Sequence, residues 1–313
     1  MVKAIWNITV VFSSLLRLRA ALGTVGLSLR PLCRSSLLDG TFHVLIRVKT
    51  NARLLACQVL LLMRLQLRDI AASVHSPVES RLFAEYGAVF VTTAVPPPTI
   101  LFRDSQQVEL FQAALSVGGL KFGDYDVELQ AQAMEALNSA AEELSERGQS
   151  LSARAADAGR RSYDDSVRLW TRNVTRGLQH WEGQGRMDPA RARSIRELAP
   201  AEQVAVILEL EETELLYFGT FFDKSILYSV AAPGASQHLS LLAFDAAEYQ
   251  DGIVEIVFER HGWFRTVIND LPHFTYLGRR EEELIGLGLE RVVRSYGDSE
   301  YHFWIPDVHG MDA

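Results

Sequence analysis

The run Pro233-Gly234-Ala235-Ser236-Gln237-His238-Leu239-Ser240-Leu241-Leu242-Ala243-Phe244-Asp245 sets a His and an Asp at the two ends of a short apolar stretch. A second His follows an Asp closely in Asn269-Asp270-Leu271-Pro272-His273. One His beside an apolar run is most often a packed core residue. Two His and one carboxylate together are the three N/O donors of a catalytic zinc site with one open position. Such a metal lowers the pKa of water and polarises a carbonyl, and a nearby carboxylate must then take the water proton and pass it to the leaving amine. His238, Asp245 and His273 supply the donors, and Asp270 supplies the carboxylate.

The elements that must position these residues can be read from periodicity and caps. Ser76-Pro77-Val78-Glu79 starts a helix with Ser as N-cap and Pro in the first turn, running to Tyr86 and stopping at Gly87. Short strands are expected over Ala88–Thr93 and Thr99–Arg103, separated by the extended Pro96-Pro97-Pro98. Asp104 or Ser105 caps a helix through Leu115. Val127, Met134, Leu137, Ala141 and Leu144 predict one helix over Asp124–Arg147. Further helices are predicted over Ser162–Trp181, Pro189–Leu198 and Pro200–Leu216. From Tyr217 the texture becomes aromatic and β-prone, at Ile226–Ala231, Ser240–Phe244, Phe264–Ile268 and Phe274–Leu277. A helix over Ala247–Arg260 stands between them, closed by Gly262. Helices first and short strands later imply an α+β fold.

With these elements in order, the first run resembles the Ser-x-His-x-Ser/Thr-Gly-x-Ala-x-Asp motif of zinc D-alanyl-D-alanine carboxypeptidases. Asp270-Leu271-Pro272-His273 resembles the Glu-x-Trp-His of that family, and Gly159-Arg160-Arg161-Ser162-Tyr163 its Gly-Tyr-Arg-Ser. The resemblance implies a helical N-terminal part packed on a small antiparallel sheet that carries a mononuclear zinc site. It implies hydrolysis of the D-Ala-D-Ala bond of peptidoglycan stem peptides, with Zn2+ held by His238, Asp245 and His273 and Asp270 as general base and acid. It further implies Arg161 on the substrate's terminal carboxylate, a task suited to a bidentate guanidinium, with Ser162 and Ser236 assisting. Five positions depart from the pattern, one of them near Ser166, where a glutamine that often follows the arginine motif is replaced. Leu241 replaces a glycine, Pro272 a tryptophan, Arg160 a tyrosine, and Asp270 a glutamate one methylene longer. The same residues fit a second reading, a cell-wall-binding module with impaired catalysis that retains the metal.

Composition bounds these readings. Across 313 residues, 48% hydrophobic and 22% charged content is that of a globular chain, and the net charge of -8 argues against a nucleic-acid partner. Residues 1–75 hold ten Lys/Arg against Asp39 and Asp69, so the remaining 238 residues are strongly acidic. Both cysteines, Cys33 and Cys57, lie in that basic segment. It reads as a targeting segment that could anchor the chain to a membrane, or as a spurious or disordered extension with Met63 as one candidate start. Residues 76–313 form the carboxypeptidase-like domain. The first option and the substrate together imply an extracytoplasmic location, the second leaves a cytoplasmic chain, and oligomeric state is open. His43, His75, His180, His261, His302 and His309 lack partners at ligand spacing and read as surface or packing residues. Glu209–Glu214 reads as a solvated acidic cluster.

Overall fold

In the computed structural model, residues 76–308 are described, together with Leu67 and Ile70, and all lie in one compact unit. The expectations for the basic segment, including its cysteines and the histidines at 43 and 75, fall outside the described residues, as does His309.

Helix α1 (Pro77–Tyr86) starts where its cap predicts: the Ser76 side chain accepts from the Glu79 amide, and Gly87 closes it. Asp104 caps α2 (Ser105–Ala113) in the same way, accepting from Gln107. A hairpin follows, β1 (Val117–Phe122) and β2 (Tyr125–Gln130), and then α3 (Ala131–Glu146). Next come α4 (Tyr163–Gly183), α5 (Pro189–Arg196) and α6 (Pro200–Thr213). The second half holds β3 (Ala243–Asp245), α7 (Gly252–Arg260), β4 (Trp263–Phe264), β5 (His273–Tyr276), the short α8 (Glu281–Leu284), and the hairpin β6 (Leu289–Tyr296) and β7 (Ser299–Pro306). The fold is α+β. Its central sheet is antiparallel in the order β3-β5-β4, and each hairpin forms its own two-stranded sheet.

Beneath the central sheet lies an aromatic core. Phe258 from α7 packs edge-on against Phe274 of β5 at 4.7 Å between ring centres, and Phe244 of β3 sits beside Trp263 of β4 at 6.5 Å. All four rings are fully buried, each worth roughly 1.5–3 kcal/mol in area removed from water. This core holds β3 and β5 side by side.

Several expected elements take another form. The run expected as a strand over Ala88–Thr93 is a 3-10 turn, Gly87–Val91, buried at every position. With no alternation of buried and exposed side chains and no ladder pairing to a strand among the described residues, its apolar character reflects burial on all sides. It is tied to the end of β5 through Thr92 Oγ1, which donates to the Tyr276 carbonyl at 2.9 Å. Thr99–Arg103 forms no strand; its Phe102 amide bonds the Gly234 carbonyl at 2.9 Å. The single helix expected over Asp124–Arg147 begins only at Ala131, because Gly123 at φ 62° turns the chain into a hairpin first. Ile226–Ala231 contains a 3-10 turn, Ile226–Tyr228. Of the strand expected over Phe264–Ile268, only Phe264 lies in a strand, at the end of β4. Glu211, expected in solvent, is 2% exposed. Its carboxylate accepts from the Phe218 amide at 2.9 Å, the Ile226 amide at 2.7 Å and the Ser225 hydroxyl at 2.5 Å. It thereby closes the loop after α6 from within.

Candidate metal centre

His238 sits in a buried 3-10 turn, Gln237–Ser240, immediately before β3. Asp245 ends β3, directly opposite His273 at the start of β5. One ligand atom from each of the three lies within 4.8 Å of the others. His238 Nε2 is 3.3 Å from Asp245 Oδ1, and His273 Nδ1 is 3.1 Å from the same oxygen. The two rings stand nearly perpendicular with centres 4.9 Å apart. Among the described residues no fourth His, Cys or carboxylate joins this group.

The outer nitrogens decide what the inner ones can do. His238 Nδ1 lies 2.9 Å from the Gly159 carbonyl, which only accepts, so Nδ1 carries the proton and Nε2 presents a lone pair inward. His273 Nε2 lies 2.8 Å from Gln237 Oε1. The Gln237 amide is oriented by its own nitrogen, which donates to the Tyr86 carbonyl at 3.0 Å, while its oxygen also accepts from Thr275 and Thr266. His273 therefore holds its proton on Nε2 and turns a lone pair on Nδ1 toward Asp245. Outer partners of this kind set the tautomer of metal-binding histidines.

Three acceptors thus face one another, which requires positive charge between them. Burial pushes Asp245 up, but positive charge and hydrogen-bond donors at the His238 and His273 nitrogens beside it would outweigh burial and hold the carboxyl well below its usual range. A proton on His238 is a poor source of that charge, because burial, partly opposed by Asp245, pushes the imidazole down. A divalent cation suits the set: two neutral imidazoles and an ionised carboxylate are the donors of a zinc-type site, and the two tautomers already match.

The remaining residues of interest are distributed unequally. Ser236 and Asp270 line the same cavity of about 220 Å³ as the three clustered residues. Burial raises the Asp270 carboxyl, with Asp245 adding and His273, His238 and Arg161 opposing. Its loop is held by Arg265, which is 2% exposed, donates to the Leu271 and Tyr249 carbonyls, pairs with Glu255 and lies over the Phe274 ring. Arg161 also lines the cavity. It pairs with Asp157 through Nε at 3.1 Å and Nη2 at 3.0 Å, and that Nη2 is 3.8 Å from Asp245 Oδ2.

Ser162 is not brought to the cavity. Its exposed hydroxyl caps α4, accepting from the Asp165 amide at 3.1 Å and donating to the Asp165 carboxylate at 2.7 Å. Arg160 also turns away and pairs with Glu128. Leu241 is fully buried in the left-handed region at φ 57° and ψ 35°. That is where a glycine costs nothing and an L side chain costs about 1 kcal/mol or more; burial of the leucine offsets the strain. It is absent from the cavity lining, so it does not plug the site. Gln237 was not legible as functional beforehand, although it sits between Ser236 and His238. Of the other histidines, His180 stacks on Phe222, His261 pairs with Glu143, and His302 lies beside Arg291, so all three have packing or surface roles. Among the described residues no helix is long and apolar enough to cross a membrane.

No protein-family model matches the chain, and no curated protein matches it. Among solved structures it is similar to a zinc(II) complex of a mutant of VanY, a vancomycin-resistance D,D-pentapeptidase from a VanB-type cassette. That likeness covers 53% of this chain and 82% of the other, at 16% identity and a TM-score of 0.32.

Proposed function

We propose that the chain is a zinc-dependent peptidase that hydrolyses the D-Ala-D-Ala bond, or a similar C-terminal peptide bond, of peptidoglycan stem peptides. The observation that carries this reading is the convergence of three lone-pair donors, His238 Nε2, His273 Nδ1 and Asp245 Oδ1, beside a cavity whose wall also bears Asp270. When bound, zinc supplies Lewis acidity toward a carbonyl oxygen and acidifies water. His238, Asp245 and His273 hold it. Asp270 takes the proton of the attacking water and returns it to the leaving amine. Arg161, steadied by Asp157, orders Asp245 and offers its remaining N–H groups to the substrate carboxylate. Ser236, buried at the rim of the same cavity, contacts the peptide. Ser162 has no part in this reading, since its hydroxyl is committed to the helix cap.

The test uses the full chain in three forms: wild type, His273→Ala and Asp270→Asn. One zinc per wild-type chain and release of D-alanine from a peptide ending in D-Ala-D-Ala are expected. His273→Ala should lose both, and Asp270→Asn should keep the metal and lose turnover. A wild-type chain that takes up no zinc would overturn the site. A zinc-loaded chain that leaves every such peptide intact would overturn the activity. Because the substrate class lies outside the cytoplasm, fractionation of the tagged full chain should place it in the cell envelope.

A further inference from the structure

Two guanidinium groups line the main cavity, and they differ in kind. Arg161 is engaged by Asp157 and lies beside Asp245, so its charge is shared between two carboxylates. Arg172 also lines the cavity and is exposed. Among the described residues it has no carboxylate, carbonyl or ring partner. A neighbouring arginine, Arg154, lines the adjoining cavity but lies over the Tyr249 ring.

Arg172 reaches the cavity because of its place on α4. Leu169 and Arg172 are three residues apart, on one face of the helix, and both contribute to the lining. At 1.5 Å of rise per residue, Arg172 stands about 14 Å along the axis from Tyr163, next to which Arg161 enters the site. The same cavity is also lined by Leu227, Tyr228, Ser229 and Val230, none of which carries a charge. A guanidinium without a partner at a cavity is a ready site for an anion.

Building on the peptidase reading, we infer that the substrate is a peptide bearing a second anionic group, recognised by Arg172, roughly two to four residues from the scissile bond at about 3.3 Å of extended chain per residue. Arg172 is then a specificity-determining residue. It touches the substrate away from the reacting bond and sets which peptides are held.

The experiment measures binding separately from turnover. The zinc-loaded Asp270→Asn chain is titrated calorimetrically with acetylated peptides ending in D-Ala-D-Ala, each carrying one Glu, or Gln in its place, two, three or four residues before the scissile bond. At one of these positions the Glu peptide should bind about fivefold more tightly than its Gln counterpart at low ionic strength, the margin shrinking with added salt. Arg172→Gln should abolish the preference, and Arg172→Lys should retain part of it. A preference unchanged by Arg172→Gln, no preference at any position, or no binding of any peptide would overturn the inference. Hydrolysis by the wild-type chain is followed in parallel. Charge-dependent binding without cleavage would count against the peptidase activity and leave the role of Arg172 intact.

Discussion

The ring of His273 and the amide of Gln237 meet at 2.8 Å between Nε2 and Oε1, and the amide cannot turn over because its nitrogen is bound to the Tyr86 carbonyl. Gln237 therefore sets which nitrogen of His273 is available to a metal. Gln237→Ala should lower zinc affinity about 10- to 100-fold in competition with a coloured chelator. It should also mix the His273 tautomers in nitrogen-15 spectra. An unchanged affinity would reduce Gln237 to a packing residue.

Asp245→Ala should remove zinc and, with it, the stabilisation that comes from binding the folded chain alone. With zinc at 100 times its dissociation constant that term is about 2.7 kcal/mol. Melting of the wild type should therefore shift upward with added zinc, while the variant should not respond. A variant that still responds would place the metal elsewhere.

Glu211→Ala should destabilise the chain by on the order of 3 kcal/mol, since two buried amides and a hydroxyl lose their acceptor. Thermal denaturation is the measurement, with a fall of roughly 5–10 °C expected. Glu211→Gln keeps only one acceptor oxygen and should fall between. A melting point within a degree or two of wild type would show that water replaces the carboxylate.

Glu259 gives a pH dependence of known sign. Burial, with Glu281 and Glu255 nearby, raises its pKa from 4.5 to about 7. The folded chain therefore binds this proton more tightly than the unfolded chain. Its stabilising contribution is complete below about pH 4.5 and is lost as pH rises through 7. Glu259→Gln should remove that loss, so the variant should gain on the wild type in melting temperature from pH 5 to pH 8. Parallel curves would assign the carboxylate an ordinary pKa.

The sequence grouped His238, Asp245 and His273, which the fold brings together, because each run is local. His238 and Asp245 flank one apolar run, and Asp270 and His273 share one loop. The helix starts were legible for the same reason, as with Ser76, Asp104 and Ser162, whose side chains bind amides three residues away. Ser162 also shows the hazard, because a residue placed in a functional motif by its neighbours turned out to serve the cap. The two outer hairpins were missed at the same signal. Phe122-Gly123-Asp124-Tyr125 and Tyr296-Gly297-Asp298-Ser299 each turn through a glycine at φ 62°, a two-residue connection that Gly-Asp favours. Over the first of them, the helical spacing of Val127 with Met134 won by coincidence. The backbone partners, Gly159 for His238 and Tyr86 for Gln237, could not be read at all, since carbonyls carry no mark in the sequence. Gly159 can bring its own to His238 only by packing tightly on β2, where an added Cβ would meet Val127 at 2.7 Å and the Glu128 carbonyl at 3.0 Å.

The bond between Gln237 and Tyr86 spans 151 residues, and that between His238 and Gly159 spans 79. Contacts so distant in the chain form late, after long loops have closed. During synthesis from the N-terminus, α1 and the Gly159 carbonyl emerge long before β5 delivers His273. A growing chain therefore brings His238, Asp245 and His273 together only when nearly all of the domain has left the ribosome, so the cluster is completed at the end of folding.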